Sequence, residues 1–416
     1  LVSVNPFKYI PKLYAPELMA ECKRYAPGHP DRPAHTFSMA EAAYQQMVKR
    51  RHHQSLVVSG ESGAGQTRVA GVAQPVGATA TDAAHQRRLP RARGLSARAS
   101  AGKFHSGEMM AKHFNVSRVS IWNAIAKAED IGIKIFSVRG KGYKLQHPIS
   151  LLNEKIIKNA MGEEGSWFDI KVLDSIDSTN NYLSKIAATG HPHASVVAAN
   201  IQTQGKGRRG RQWQSALGES LTFSFLWRFT KGAAGLSGLS LAVGVSLIRA
   251  LKKINISTAL LKWPNDILIF DEGVYKKLAG ILIELQGDTD GQSAAIIGIG
   301  LNLNLSKTQL EKIDQPATDI NNLVSENIDS NFFMAIIIKE LSQVLASFES
   351  DQFKPFKDEW LSYHAFQDKL IDIMLGNSQT ITGKAIDISD TGALIVRTDE
   401  GAKSFASGEV SIRSAA

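Results

Sequence analysis

One cysteine, Cys22, is all the chain contains, so no disulfide forms within it and a reducing compartment, the cytoplasm, is expected. Long hydrophobic runs are missing as well. No stretch approaches the roughly 18 apolar residues that read as a membrane span. The most apolar helical candidate, Leu239 to Leu251, is interrupted by Ser240, Gly244 and Ser246 before Lys252 and Lys253. It reads as a buried helix, and no membrane association is expected. The chain does not open with a cationic segment followed by an apolar one, which argues against secretion. Leu1 in place of methionine suggests a trimmed or incomplete N-terminus. Acidic residues are in short supply, 39 against 48 Lys and Arg, for a net charge of +9. Much of the excess lies in residues 73–100, where Arg87, Arg88, Arg91, Arg93 and Arg98 face only Asp82. Without apolar periodicity, that stretch reads as a flexible basic linker.

What is present is ordinary for a soluble globular protein. The 416 residues are 43% hydrophobic and 21% charged, enough for two to four domains that each bury a core. The linker separates two stretches of different character. Upstream, in residues 1–72, the apolar run Ser55-Leu56-Val57-Val58 reads as a buried strand entering Gly60-Glu61-Ser62-Gly63-Ala64-Gly65-Gln66-Thr67. This is a phosphate-loop pattern in every position but one. Gly60 and Gly65 suit backbone convergence on a phosphate, and Thr67 keeps the hydroxyl that reaches magnesium. Gln66 stands where a lysine should supply charge, so the loop is degenerate.

With Val2-Ser3-Val4-Asn5-Pro6-Phe7-Lys8, Tyr14, Pro16-Glu17, His35-Thr36-Phe37, Ala43-Tyr44 and Gln54 through Thr67, the first 72 residues resemble the start of a myosin motor head. No counterpart to that family's switch segments, actin-binding surface or converter follows. A strand and part of a helix cannot bury a core without the rest of their sheet. The expectation is a truncated phosphate-loop fragment that neither hydrolyses ATP nor moves on actin.

Downstream, residues 101–148 have the pattern of a winged helix-turn-helix. Met109, Met110 and Phe114 precede a turn at Asn115-Val116, and Ser117 is an N-cap. Ile121, Ala124, Ile125 and Ala128 recur at helical spacing as a buried stripe, with Arg118, Trp122, Asn123 and Lys127 opposite. Two β-prone runs then flank Arg139-Gly140-Lys141-Gly142, a hairpin wing. Arg118 and Asn123 suit base edges in a major groove, with Trp122 and Lys127 on the same face, while Arg139 and Lys141 suit phosphates. Such a unit also serves as a protein-interaction module, and Trp122 fits equally well against a neighbouring domain.

Three motifs in residues 149–367 carry chemistry. Gln202-Thr203-Gln204-Gly205-Lys206-Gly207-Arg208-Arg209-Gly210-Arg211, ending at Trp213, alternates glycine with cations after a strand over 195–200. Its backbone can approach a ligand and its cations suit a polyanion, although a nucleic-acid-binding tract or a solvated loop would read alike. Lys262-Trp263-Pro264-Asn265-Asp266 is a turn that presents Asp266 at a strand junction. Lys277-Leu278-Ala279-Gly280 opens the strand Ile281-Leu282-Ile283-Glu284, where Lys277 lies either against a ligand or at an exposed edge.

In this order, with Asp177-Ser178-Thr179-Asn180 upstream and Gly298-Ile299-Gly300-Leu301-Asn302 downstream, these motifs resemble the biotin protein ligases. Phe104-His105-Ser106-Gly107-Glu108 and the Arg139 to Tyr143 wing resemble the head of the family's bifunctional ligase/repressor members. The resemblance runs from about Phe104 to Arg413. It implies a class II synthetase-like α/β catalytic domain with a mixed sheet, then a small SH3-like β-barrel over residues 368–416. It also implies a two-step reaction. Biotin's carboxylate attacks the α-phosphate of ATP, with Mg2+ accompanying the triphosphate and no dedicated metal cage. The biotinyl group then passes to a lysine of a biotin carboxyl carrier domain.

By that resemblance Lys277, Arg208 and Asp266 are catalytic. Ser178, Thr179, Asn180, Gln202, Gly205, Lys206, Arg208, Lys277 and Gly280 hold biotin, and Arg208, Arg209, Arg211, Trp213, Lys277 and Asn302 hold ATP or the adenylate. Operator DNA is the implied second partner, bound by a homodimer carrying adenylate. Two departures stand out: Lys206 replaces a usual arginine, and Asp314-Gln315-Pro316-Ala317 holds no aromatic where repressor-type relatives have one over the adenine. The alternative function is a DNA-binding or inactive fusion whose myosin-like fragment binds nucleotide without motor activity.

Overall fold

Two serines start the first two helices among the described residues. In the computed structural model the Ser106 hydroxyl accepts from Met109 N at 3.1 Å, opening α1 (Gly107–His113). The Ser117 hydroxyl accepts from Ser120 N at 3.0 Å, opening α2 (Arg118–Glu129). Asn115, at φ 50°, makes the turn between them. Ile121 and Ala128 are buried and Ala124 and Ile125 half-buried, so the stripe read from the sequence is the inward face of α2. The strands β1 (Ile135–Val138) and β2 (Gly142–Leu145) pair antiparallel around Arg139-Gly140-Lys141. Gly142 is required there: its φ is 98°, and a Cβ would fall 2.1 Å from the His105 carbonyl oxygen. That closeness lets His105 and Tyr143 exchange both main-chain hydrogen bonds at 2.9 Å, tying the wing to the start of α1.

The structure describes residues 103–129, 135–145, 149–230, 232–287, 291–375, 379–407 and 411–414. The fragment bearing Gly60, Gly65, Gln66 and Thr67 and the basic linker lie outside the described residues.

After the head come α3 (Glu154–Met161), β3 (Asp169–Leu173), α4 (Thr179–Ala187), β4 (Ser195–Ala199), β5 (Gly205–Lys206), β6 (Gln212–Trp213) and β7 (Ser220–Phe229). Then follow α5 (Leu239–Lys253), β8 (Ala259–Lys262), β9 (Asp266–Asp271), β10 (Val274–Gly287), β11 (Ser293–Asn302), α6 (Lys307–Leu310), α7 (Ser330–Asp351) and α8 (Lys357–Ser362). Seven strands form one mixed sheet in the order β3-β4-β7-β11-β10-β9-β8, with β3 and β4 its parallel pair.

Strand alternation divides the apolar residues between two layers. Val196, Ala198, Phe223, Phe225, Ala295 and Ile297 join the main core with α5 and α7. Val197, Leu226, Ala294 and Ile296 face Leu183 and Ala187 of α4 on the other side. Helix α5 starts at Leu239 as its apolar run predicts, and eleven of its residues are buried. The segments Ala233–Lys253 and Ser330–Asp351 are long and apolar enough to cross a membrane by length and composition, yet most of each is buried within protein.

The chain ends in a five-stranded antiparallel sheet of β12 (Leu370–Met374), β13 (Thr380–Ile388), β14 (Leu394–Thr398), β15 (Gly401–Phe405) and β16 (Ser411–Ser414), in the order β15-β14-β13-β12-β16. Its Ile371, Ile373, Val396 and Ile412 belong to the same core as α5, and Trp263 Nε1 donates to Gly392 O at 3.1 Å. At the other end, Ala128 and Leu145 of the head pack on Ile201 and Leu217 of the large sheet's loops.

Candidate active site

Strand register decides which residues meet. Partners in an antiparallel ladder share a face. Gly280 lies opposite Gly300 and Asp266, and Gly298 lies opposite Leu282 and Ser224, all on the face that α4 covers farther along. The glycines leave a hollow, and neighbours fill it. A Cβ on Gly298 would stand 2.3 Å from Asn180 Oδ1, and one on Gly300 would stand 2.4 Å from the Trp213 ring. Trp213 therefore lies as a roof over Gly280 and Gly300. A cavity of about 60 Å³ remains beneath it, bordered by Thr179, Gln202, Trp213, Lys277 and Gly300. An open cleft of about 830 Å³ runs along the Gln204 to Gln212 loop and reaches Ser407.

One end of the hollow is neutral and rich in hydrogen-bonding groups. Gln202 Oε1 accepts from Thr179 N at 2.7 Å and from Thr179 Oγ1 at 3.0 Å. Ser224 Oγ lies 2.6 Å from both Thr179 Oγ1 and Asn180 Oδ1. Asn180 Nδ2 donates to Glu284 Oε2 at 2.8 Å, and Lys206 Nζ sits 3.6 Å from Glu284 Oε1. Ser178, buried, caps α4 by accepting from Asn181 N at 3.4 Å. Gly205 pairs with Trp213 across the β5–β6 hairpin, which closes the basic loop on itself.

The other end is cationic. A bulge in β10 between Lys277 and Ala279 breaks the strand's alternation and turns Lys277 over Gly280. There Lys277 Nζ lies 2.8 Å from Asp266 Oδ1, with each side chain less than a fifth exposed. Arg208 Nη1 donates to Asn265 Oδ1 at 3.1 Å, and Nη2 donates to the Ser407 carbonyl, just past β15 of the C-terminal sheet. Burial pulls the Arg208 guanidinium below its ordinary value, against the raising effect of Asp266, while Arg209 adds to the lowering. Lys262, paired with Asp266 in the β8–β9 ladder, is likewise lowered, first by burial. Asp266 opposes that shift, and Lys277, Arg413 and Arg211 reinforce it. So many cations around one carboxylate make a place for a further anion.

The remaining sequence-level candidates are spread wider. Arg209 (φ 58°) and Arg211 are exposed on the basic loop along the open cleft. Asn302 is buried, and its amide donates to Lys277 O at 3.3 Å and Thr318 O at 3.0 Å. It thus ties β11 to the chain beside Lys277. The segment around Pro316 runs along the same place, with Lys277 N donating to Pro316 O at 2.8 Å. In the head, Arg118 and Asn123 are exposed on α2, and Trp122 is exposed rather than packed on a neighbour. Arg139 and Lys141 are exposed at the wing tip, while the Lys127 side chain lies outside the described residues.

Several site residues were not singled out from the sequence. Ser224 was signalled by the polar alternation Ser220, Thr222, Ser224 in an apolar strand. Lys262 and Asn265 stand inside the motif that presents Asp266. Glu284 and Ser407 had no local signal.

The site thus joins a hydrogen-bonding hollow to a cationic strip, with space for an organic group beside an anion. Residues 172–304 match the biotin/lipoate A/B protein ligase family model, residues 373–413 the biotin protein ligase C-terminal domain and residues 97–144 an HTH domain. The bifunctional ligase/repressor BirA of Escherichia coli is 36% identical over 315 residues, covering 76% of this chain and 94% of that one. Its Bacillus subtilis namesake is 28% identical over 314 residues, covering 95% of that protein. The biotin protein ligase from Aquifex aeolicus, solved with biotin and ATP, superposes with a TM-score of 0.51 at 32% identity, covering 59% of this chain and 99% of that one.

The chain belongs to the family of bifunctional biotin protein ligase/repressors. Residues 1–86 separately match the myosin head (motor domain) model. Myosin-13 of Arabidopsis thaliana is 49% identical over 70 residues, of which the chain spans 5% of that myosin's length.

Proposed function

We propose that the chain condenses biotin with ATP to biotinyl-5′-adenylate and transfers the biotinyl group to a lysine of a biotin carboxyl carrier domain. Its head, on this reading, binds operator DNA as part of a dimer when adenylate fills the site. The observation that carries the ligase reading is the convergence of Lys277, Arg208 and Lys262 on Asp266 beside the Thr179–Gln202–Ser224 pocket.

The neutral pocket suits a ureido ring, which offers two N–H donors and a carbonyl acceptor to Thr179, Ser224 and Gln202. Biotin's carboxylate then reaches the cationic end, where it replaces Asp266 as a partner of Lys277. In the first step a carboxylate oxygen bonds to the α-phosphorus and the bond to pyrophosphate breaks. Lys277 and Arg208 offset the charge gathering on the phosphoryl oxygens. In the second step the acceptor amine adds to the acyl carbon and AMP departs. Asp266 is the group placed to attract the incoming ammonium and take its proton. Trp213 and the basic loop keep water from the anhydride. Mg2+ arrives with the triphosphate; among the described residues no group of three or more His, Cys, Asp or Glu is arranged to hold it. The catalytic sheet is of class II synthetase type and the last five strands are an SH3-like module on this reading, and the cytoplasm is the working compartment.

Biotin-dependent exchange of labelled pyrophosphate into ATP tests the first step alone. The wild-type chain should support it, and Lys277→Ala and Arg208→Ala should each reduce it about 100-fold or more. Unaltered exchange in both variants contradicts the assignment.

A further inference from the structure

The outward face of α2 carries an apolar pair. Val119 and Trp122 are 65% and 61% exposed on a helix whose inward face buries Ile121 and Ala128. Single exposed apolar residues are common. These two, three positions apart, are neighbours on the helix surface, flanked by Arg118 and Asn123, which are also exposed. The helix is held from behind, since Ala128 packs with Leu145, Ile201 and Leu217, so the pair is presented on a fixed support.

The surroundings are mainly cationic. Residues 103–145 contain eight Lys and Arg against Glu108, Glu129 and Asp130, and the first turn of α2 has no acidic residue. Arg139 and Lys141 stand exposed at the wing tip. Such a face fits a ligand that is anionic along its rims and apolar at discrete points between them. The major groove of duplex DNA is that ligand: phosphates line its edges, and the thymine C5-methyl is the apolar mark on its floor.

We infer that Val119 and Trp122 read thymine methyl groups, so that operator half-sites carry thymine where this pair meets the groove. The inference rests on the repressor reading and adds the base chemistry to it. Arg118 and Asn123 flank the pair with groups suited to guanine and adenine.

The test uses the full chain with biotin and MgATP. Duplexes are selected from a random pool, and in the enriched sequence each thymine is replaced in turn by deoxyuridine, which removes only the methyl group. Where the helix meets the groove, affinity should fall about fourfold per methyl removed. Val119→Ala and Trp122→Ala should each erase the thymine preference at one position while binding stays salt-sensitive. Both side chains are exposed, and thermal unfolding of the variants checks that the fold is kept. Enriched duplexes bound equally well with thymine or deoxyuridine overturn the methyl readout and leave the repressor reading standing. Variants that keep the full thymine preference also overturn it. A pool without enrichment overturns both.

Discussion

Lys277 Nζ and Asp266 Oδ1 meet at 2.8 Å because a bulge in β10 turns the lysine onto the face where Asp266 lies opposite Gly280. The pair is shielded from solvent, so each charge depends on the other until an anionic ligand competes. Lys277→Met should therefore abolish adenylate formation and leave Asp266 among Lys262 and Arg208. Asp266→Asn should spare the first step more than the second, with transfer slowed about 100-fold. Single-turnover kinetics separate the two, and equal losses in both steps would contradict the division of roles.

Gly300 has room for nothing but hydrogen, since a Cβ there would stand 2.4 Å from the Trp213 ring. Gly300→Ala should displace the roof and raise the KM for biotin about tenfold or more. Tryptophan fluorescence on biotin titration reads the same displacement. An unchanged KM would mean that Trp213 does not cover the ligand.

Ile201 packs in the small core shared with the head, and the next residue, Gln202, accepts both hydrogen bonds from Thr179. Ile201→Ala should destabilise the chain by about 2 kcal/mol and weaken biotin binding as well. Calorimetric titration and thermal unfolding check the two effects. Destabilisation with unchanged biotin affinity would uncouple the head from the pocket.

His364 is buried against Trp360 and Phe366, and burial pushes its pKa down to about 4, with Gln367 opposing the shift and Lys369 adding to it. Its folded value lies below the unfolded value of about 6.5, so the unfolded chain takes up the proton first as pH falls. Stability is intact above about pH 6.5 and declines by roughly 1.4 kcal/mol per unit toward pH 4. Denaturant unfolding between pH 7 and 4 should show that slope, and His364→Gln should flatten it. Identical slopes in both proteins would contradict the assignment.

The sequence made the chemistry of this site legible where chemistry and chain neighbourhood coincide. Lys277, Asp266 and the Gly205 to Arg211 loop each sit in a motif whose residue types declare a charge and a turn. What stayed hidden depends on register and distant contact. Arg208 meets Ser407 across 199 positions, and no local pattern anticipates a carbonyl from the connection after β15. The bulge that aims Lys277 is a backbone event without a sequence signature here. Asn302 donates its amide to two main-chain carbonyls, a use visible only once β11 is paired with β10. The helix α5 is legible because its apolar residues run from Leu239 to Leu251 and end at Lys252 and Lys253, whereas the place of Ser224 depends on the pairing of β7 with β11.

The most direct test is transfer itself. Purified chain, biotin, MgATP and a biotin carboxyl carrier domain are incubated, and the carrier mass is measured with and without biotin. A gain of one biotinyl group, lost in Lys277→Ala, is the expected result. No gain from folded chain, with a working control ligase alongside, would contradict the account and favour a DNA-binding or inactive fusion.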